Sequence, residues 1–183
     1  MELPLEAVPN FSEGRDRATL DALADTVRAL PPARTLDVAC GTGYATCWLP
    51  GEITGLDQSE RMLGVARGRL PDATFVQGDA LDLPFPDDSF GRVATMSFYG
   101  HLEDEDRERF LAEARRVAPE LLVVDAALRD DVEPEEWQER ILNDGSSWTV
   151  YKRYFTAEGL AAELGGGDIV YHGHWFVAVR SPR

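Results

Sequence analysis

The sequence predicts an α/β fold: a doubly wound, seven-stranded, mostly parallel sheet with a C-terminal antiparallel hairpin and helices on both faces. Three observations lead there. Apolar runs of strand length alternate with helix-period segments from residue 35 to residue 128. Residues 121–124 are apolar without a break, as expected of a strand covered on both faces. The final stretch, "GGGDIVYHGHWFVAVRS", reads as two strands that pair with each other.

Taken in order, residues 15–30 place Leu20, Leu23, Ala24, Val27 and Leu30 on one helical face, and the prolines at 31–32 stop the helix. "TLDVAC" (35–40) is a buried strand, followed by a short helix over 44–49. "EITGLD" (52–57) is the second strand. Ser59 caps a helix that turns Met62, Leu63, Ala66 and Leu70 inward. "ATFVQ" (73–77) and "GRVATMSF" (91–98) are strands three and four.

The helix over 104–118 carries Phe110, Leu111, Ala114, Val117 and Ala118 as its apolar stripe. Asp104, Glu105 and Asp106 open it and Arg115 and Arg116 close it, matching the helix dipole. "ELLVVDAAL" (120–128) is strand five. Residues 129–150 interrupt the rhythm with a polar, tryptophan-bearing insertion, for which helix formers predict a helix near 134–142. Thr156 caps a last helix over 156–164 before the hairpin.

Right-handed crossovers between parallel strands place the strands' carboxyl ends along one rim, where ligands of such sheets bind. The glycine loop after strand one, Asp57, Asp79 and the residues after Phe98 therefore share a rim.

A chain of 183 residues fits one domain, expected to divide into an N-terminal helical lid (1–32), a donor-binding core (33–128), an insertion or lid (129–150) and a C-terminal helix and hairpin (151–183). The net charge is −15 and Lys152 is the one lysine, which argues against nucleic acid and against anionic membrane surfaces as partners. Cys40 and Cys47 are expected as reduced thiols, and no Cys/His spacing suggests a metal site. With no secretion signal at the start and no apolar run of about 20 residues, a cytoplasmic protein is expected, monomer or homodimer.

The loop "LDVACGTGY" (36–44) decides the ligand. A P-loop ends in Gly-Lys-Ser/Thr, which is absent. A dinucleotide fingerprint needs three glycines; Gly41 and Gly43 supply two and Thr46 stands third, where a branched side chain hinders close packing. Asp57, closing the next strand, can accept hydrogen bonds from both ribose hydroxyls. A nucleoside without phosphate suits these residues better than NAD.

The chain resembles the class I S-adenosylmethionine-dependent methyltransferases, in particular the small-molecule branch with the quinone-biosynthesis enzymes. The likeness rests on "LDVACGTG", "ITGLDQSERML", "FVQGDALDLPFPDDSF" and the stretch from "RVATMSFYGHLEDED" to "LLVVD", and extends through "YFTAEGLAAELG" to the last hairpin. It implies a Rossmann-like fold and S-adenosyl-L-methionine as methyl donor, with a small-molecule methyl acceptor. It further implies that Asp37, Ala39, Gly41 and Gly43 line the methionine part, with Ala39 in place of the family's first glycine. Asp57 would bind the ribose, Gln58 and Ser59 would border the adenine, and Asp79 and Ala80 would read its edge. Met96 and Ser97 would pass beneath the amino group. A shorter likeness, "VPNFSEGRD" (8–16) and onward to about Val38, is to the opening of glutamate formimidoyltransferases, a resemblance that does not imply the glycine loop and parallel-sheet order that follow here.

Proton removal from a hydroxyl or amine acceptor needs a base, and His101, on the rim, is the candidate, with Tyr154 as a second catalytic residue. Tyr99, Tyr151 and Arg153 are further candidates for the acceptor pocket, and Trp137 and Trp148 for its roof. His172 and His174 read as structural. The leading expectation is a methyltransferase; a non-catalytic S-adenosylmethionine-binding regulatory module is the alternative, and an NAD enzyme comes third.

Overall fold

The computed structural model describes residues 17–141 and 146–182; the segment 8–16 lies outside them. Along the chain run α1 (Arg17–Arg28), β1 (Ala33–Val38), a 3-10 turn (Thr46–Trp48), β2 (Gly51–Asp57), α2 (Glu60–Arg69), β3 (Thr74–Gln77) and β4 (Arg92–Met96). A second 3-10 turn (Tyr99–His101) precedes α3 (Asp104–Val117) and β5 (Glu120–Ala126). Then come β6 (Glu135–Ile141), β7 (Ser147–Arg153), α4 (Ala157–Glu163), β8 (Asp168–His172) and β9 (Phe176–Pro182).

Seven strands form one sheet in the order β3-β2-β1-β4-β5-β9-β8. The first five are parallel, and β9 lies antiparallel to both β5 and β8. The strand order reverses at β1, between β2 and β4, which opens the crevice at the carboxyl ends of these strands.

Alternation along the strands feeds two cores. Leu121 and Val123 of β5 pack with Phe110 and Val117 of α3 and Leu160 of α4. Leu122 and Val124, their neighbours in sequence, face the other way, toward Leu23 and Val27 of α1 and Trp48. A run apolar at every position is thus required by two covered faces.

Two expectations need correction. The helix expected over 44–49 is a single 3-10 turn, Thr46–Trp48. The helix expected near 134–142 is instead β6, paired antiparallel with β7 from Glu135↔Arg153 to Ile141↔Ser147. "EEWQERI" favours a helix by tenths of a kcal/mol per residue, but its partner "SWTVYKR" is rich in aromatic and β-branched residues that prefer a pleated surface. Cross-strand contacts then decide: the Trp137 and Tyr151 rings meet edge-on at 5.5 Å, and the Tyr151 hydroxyl donates to Glu135 at 2.5 Å. The hairpin is tied to the main sheet where Phe155 N–H donates to the Ala126 carbonyl and Leu128 N–H to that of Phe155.

Candidate active site

A cavity of about 540 Å³ opens at the carboxyl ends of β1, β2 and β4, floored by the glycine loop and covered on one side by the β6–β7 hairpin. That volume suits a small-molecule ligand. Asp37, Ala39, Gly41, Asp57 and Gln58 line it, as do Asp79, Ala80 and Met96. Gly43 does not: a Cβ there would meet the Ala66 Cβ at 3.3 Å, so this glycine lets the loop lie close on α2.

The backbone at the rim is bent into conformations that side chains disfavour. Ala39 (φ 58°) and Ser97 (φ 60°) are left-handed at the ends of β1 and β4, a strain of the kind that gathers at binding sites. Gly41 is left-handed too (φ 54°), and no atom lies within 4 Å of where its Cβ would stand. That open space is a cradle which a side chain would fill.

Asp57 is held from both sides: Gly41 N–H donates to Oδ2 at 2.8 Å and Ser59 N–H to Oδ1 at 2.9 Å. Ser59 in turn caps α2, its hydroxyl accepting from Met62 N–H at 3.3 Å. A carboxylate has about four lone-pair sites, so each oxygen keeps one for a ligand diol. Loss of the Asp57 carboxylate would therefore also loosen the loop. Asp79 is fixed in a turn of its own, accepting from Leu81 N–H at 2.9 Å.

Asp37 is buried, and Thr46 Oγ1 donates to its Oδ2 at 2.6 Å. Burial pushes its pKa up to about 7, the Thr46 bond pulls it down, and the charge of Asp57 pushes it up again. Thr46 is thus the partner of Asp37; the 3-10 turn turns its hydroxyl to the carboxylate. Sequence spacing set it aside as a missing glycine, and the signal it offered was its hydroxyl. Thr46, Tyr44 and Met62 all line the cavity.

At the other end, His101, Tyr151, Phe98 and Trp137 line the cavity, with Glu103 and Asp106 from the start of α3. His101 Nδ1 stands 2.8 Å from the Tyr151 carbonyl oxygen. Burial lowers the His101 pKa and the positive charge of Lys152 adds to it, while Asp125 opposes.

Tyr154 is corrected: it is absent from the cavity wall, because its hydroxyl is taken up beneath the hairpin. Gln138 Nε2 donates to it and it donates to Glu136, each at 2.9 Å. Tyr99 is wholly buried with its hydroxyl donating to Glu163 at 2.7 Å, and Arg153 pairs with Glu163 at 3.1 Å and Asp104 at 3.6 Å. Neither lines the cavity, nor does Trp148 or any residue of α1. Among the described residues there is no cluster of metal-ligating side chains, and no helix is long and apolar enough to cross a membrane.

Residues 36–120 match the family model described as a methyltransferase domain. A demethylmenaquinone methyltransferase of Thermotoga maritima is 40% identical over 112 residues, 58% of this chain and 48% of that protein. A phthiotriol/phenolphthiotriol dimycocerosates methyltransferase of Mycobacterium tuberculosis is 36% identical over 129 residues, 64% of this chain and 44% of that one. The chain thus spans about half the length of the curated relatives it matches. Among solved structures, a DhpI–SAH complex superposes with a TM-score of 0.74 at 27% identity, over 97% of this chain and 90% of that one. A DhpI–SAM–HEP complex does so at 0.72, over 97% and 94%.

Proposed function

We infer that this chain, whose residues 36–120 match a methyltransferase-domain model, is a class I methyltransferase that transfers a methyl group from S-adenosylmethionine to a small-molecule acceptor. The observation that carries the reading is the crevice itself. The open cradle at Gly41 and the doubly held Asp57 share one cavity with a half-buried histidine. The likeness to DhpI, solved in complexes with SAM and with SAH, adds support.

When bound, S-adenosylmethionine supplies a sulfonium methyl, which the acceptor's lone pair takes in line as the carbon–sulfur bond breaks and its electron pair stays on sulfur. Everything else is done by the protein. Asp57 would hold the ribose hydroxyls, Gln58 and Ser59 would border the adenine, and Asp79 with the backbone of Ala80 would recognise its edge. Asp37, Ala39, Gly41 and Met96 would surround the methionine part. Positioning of the two reactants supplies most of the rate in such a displacement. His101 takes the proton that a hydroxyl or amine acceptor gives up. Trp137 and Tyr151 of the hairpin exclude water above them. The methyl acceptor is a small molecule; the hairpin covers one side of the cavity and leaves little surface for a larger one.

Calorimetric titration of S-adenosylmethionine, with NADH in parallel, tests the reading. Saturable binding of the first alone is expected, weakened at least about 100-fold in Asp57→Ala, as for a lost charged hydrogen-bond partner. Binding of NADH alone, or donor affinity unchanged in Asp57→Ala with its Tm also unchanged, would overturn the assignment.

A further inference from the structure

A buried ion pair lies under the acceptor end of the cavity, and the mechanism above makes no use of it. Lys152 Nζ stands 2.7 Å from Asp125 Oδ1, with side chains 9% and 0% exposed. The second Asp125 oxygen accepts from Gly100 N–H at 2.8 Å. Gly100 precedes His101, and Tyr151, whose carbonyl faces the His101 ring, precedes Lys152. The pair therefore grips both backbone segments that set the imidazole. A Cβ on Gly100 would stand 3.0 Å from Asp125 Oδ1 and 3.1 Å from Lys152 Nζ, so the packing around it is close. Buried pairs of this kind are weak stabilisers compared with apolar packing. Stability alone is a poor reason for this one.

A carbonyl oxygen only accepts. In the neutral ring Nδ1 must carry the proton toward Tyr151, which leaves Nε2 with its lone pair. Protonating Nε2 as well would set a second positive charge against that of buried Lys152. We propose that Lys152, held by Asp125, is a positioning residue that keeps His101 as the neutral Nδ1–H tautomer, with Nε2 as the proton acceptor. Its use in catalysis rests on the methyl-transfer reading, and it narrows the methyl acceptor to a nucleophile that loses a proton.

The charges that face the ring are Lys152 from β7, Asp125 from β5 and Arg140 from β6. Glu103 and Asp106 share the cavity wall from the start of α3. Burial comes first in holding the ring neutral, Lys152 second, and Asp125 and the Tyr151 carbonyl act against them.

Nitrogen-15 NMR titration of the imidazoles in the full chain tests the proposal, with His101 assigned by its loss in His101→Asn. In the wild type, His101 is expected to titrate below the ordinary value of about 6.5 and to show the Nδ1–H tautomer. Lys152→Met is expected to raise its pKa by about one unit, Lys152→Arg to restore it, and Asp125→Asn to lower it further. His172 and His174 serve as internal controls. A wild-type ring protonated at Nε2, or one titrating at the ordinary value, would overturn the proposal whether or not any variant folds. A ring unmoved by Lys152→Met, or one moved upward by Asp125→Asn, would do the same. Loss of S-adenosylmethionine binding in the wild type would sink the methyl-transfer reading and leave the ring result standing.

Discussion

The two ends of the cavity are built by different means. At the donor end, the carboxyl ends of β1 and β2 and the turn after β3 carry the carboxylates, and backbone N–H groups two to sixteen residues away hold two of them: Gly41 and Ser59 on Asp57, Leu81 on Asp79. At the acceptor end, the ring of His101 is set by a carbonyl 50 residues on, and Gly100 by a carboxylate 25 residues on. Each donor-end carboxylate sits on, or just after, its own strand of a sheet that forms anyway. The acceptor end exists only once the β6–β7 hairpin has docked on β5. The first is a property of loops on a rigid scaffold, the second of one tertiary contact.

Four substitutions break or sharpen that contrast. The largest effect concerns Asp37. Its pKa rises on folding from 3.8 to about 7, so the folded state binds a proton that the unfolded state has released. Stability is then fully present below about pH 4 and falls as pH rises toward 7, by up to about 4 kcal/mol. Asp37→Asn keeps an acceptor for Thr46 and removes the buried charge. Its stability relative to wild type, from urea melts, is expected to climb over this window. A difference that stays flat between pH 4 and pH 8 would break the account of the donor end. A cationic ligand stabilises the ionised form, so S-adenosylmethionine should release a proton on binding near pH 7, seen as a buffer-dependent enthalpy.

Gly100→Ala comes next. Its Cβ would lie 2.6 Å from the Arg153 carbonyl oxygen and 3.0 Å from Asp125 Oδ1, neither of them free to withdraw. A cost of about 2–3 kcal/mol is expected, a Tm lower by about 5–10 °C. Gly41→Ala is the donor-end counterpart. Only its left-handed backbone opposes the new methyl, for a cost of about 1 kcal/mol; donor affinity should fall at least about tenfold because the cradle is filled. Equal stability losses in the two alanine variants would erase the distinction between a glycine kept for the fold and one kept for a ligand.

Trp137→Ala is the gentlest. The ring is 60% exposed and touches Tyr151, so Tm should stay within about 2 °C and donor affinity within about twofold. Turnover of a methyl acceptor, once one is found, should drop by about tenfold for want of its aromatic cover. A tenfold loss of donor affinity instead would move the hairpin to the donor end.

The donor end was legible because each signal is local. An apolar strand, a Gly-x-Gly turn and an acid at the next strand's end lie within about 20 residues of one another, and the strand order puts them on one rim. Gly43 was the exception there: the family resemblance placed it with the ligand, whereas it packs on Ala66. His101 was legible by its place on the rim, but the state of its ring was not. Tyr154 was misplaced, since the helix expected near 134–142 left no partner for its hydroxyl; the strand that forms there supplies Glu136 and Gln138.

The sequence by itself determined the alternation of strands and helices, the two-faced core of β5 and the meeting of the glycine loop and Asp57 on one rim, because periodicity and turn chemistry act over one or two turns of chain. Only the tertiary structure decided that "EEWQERI" is a strand, that Thr46 bonds Asp37, and that Lys152 and Asp125 lie beneath His101. Those outcomes depend on which segments meet after the sheet has formed. A marginal local preference of tenths of a kcal/mol yields there to a ladder of cross-strand pairs and to the demand of buried charges for partners.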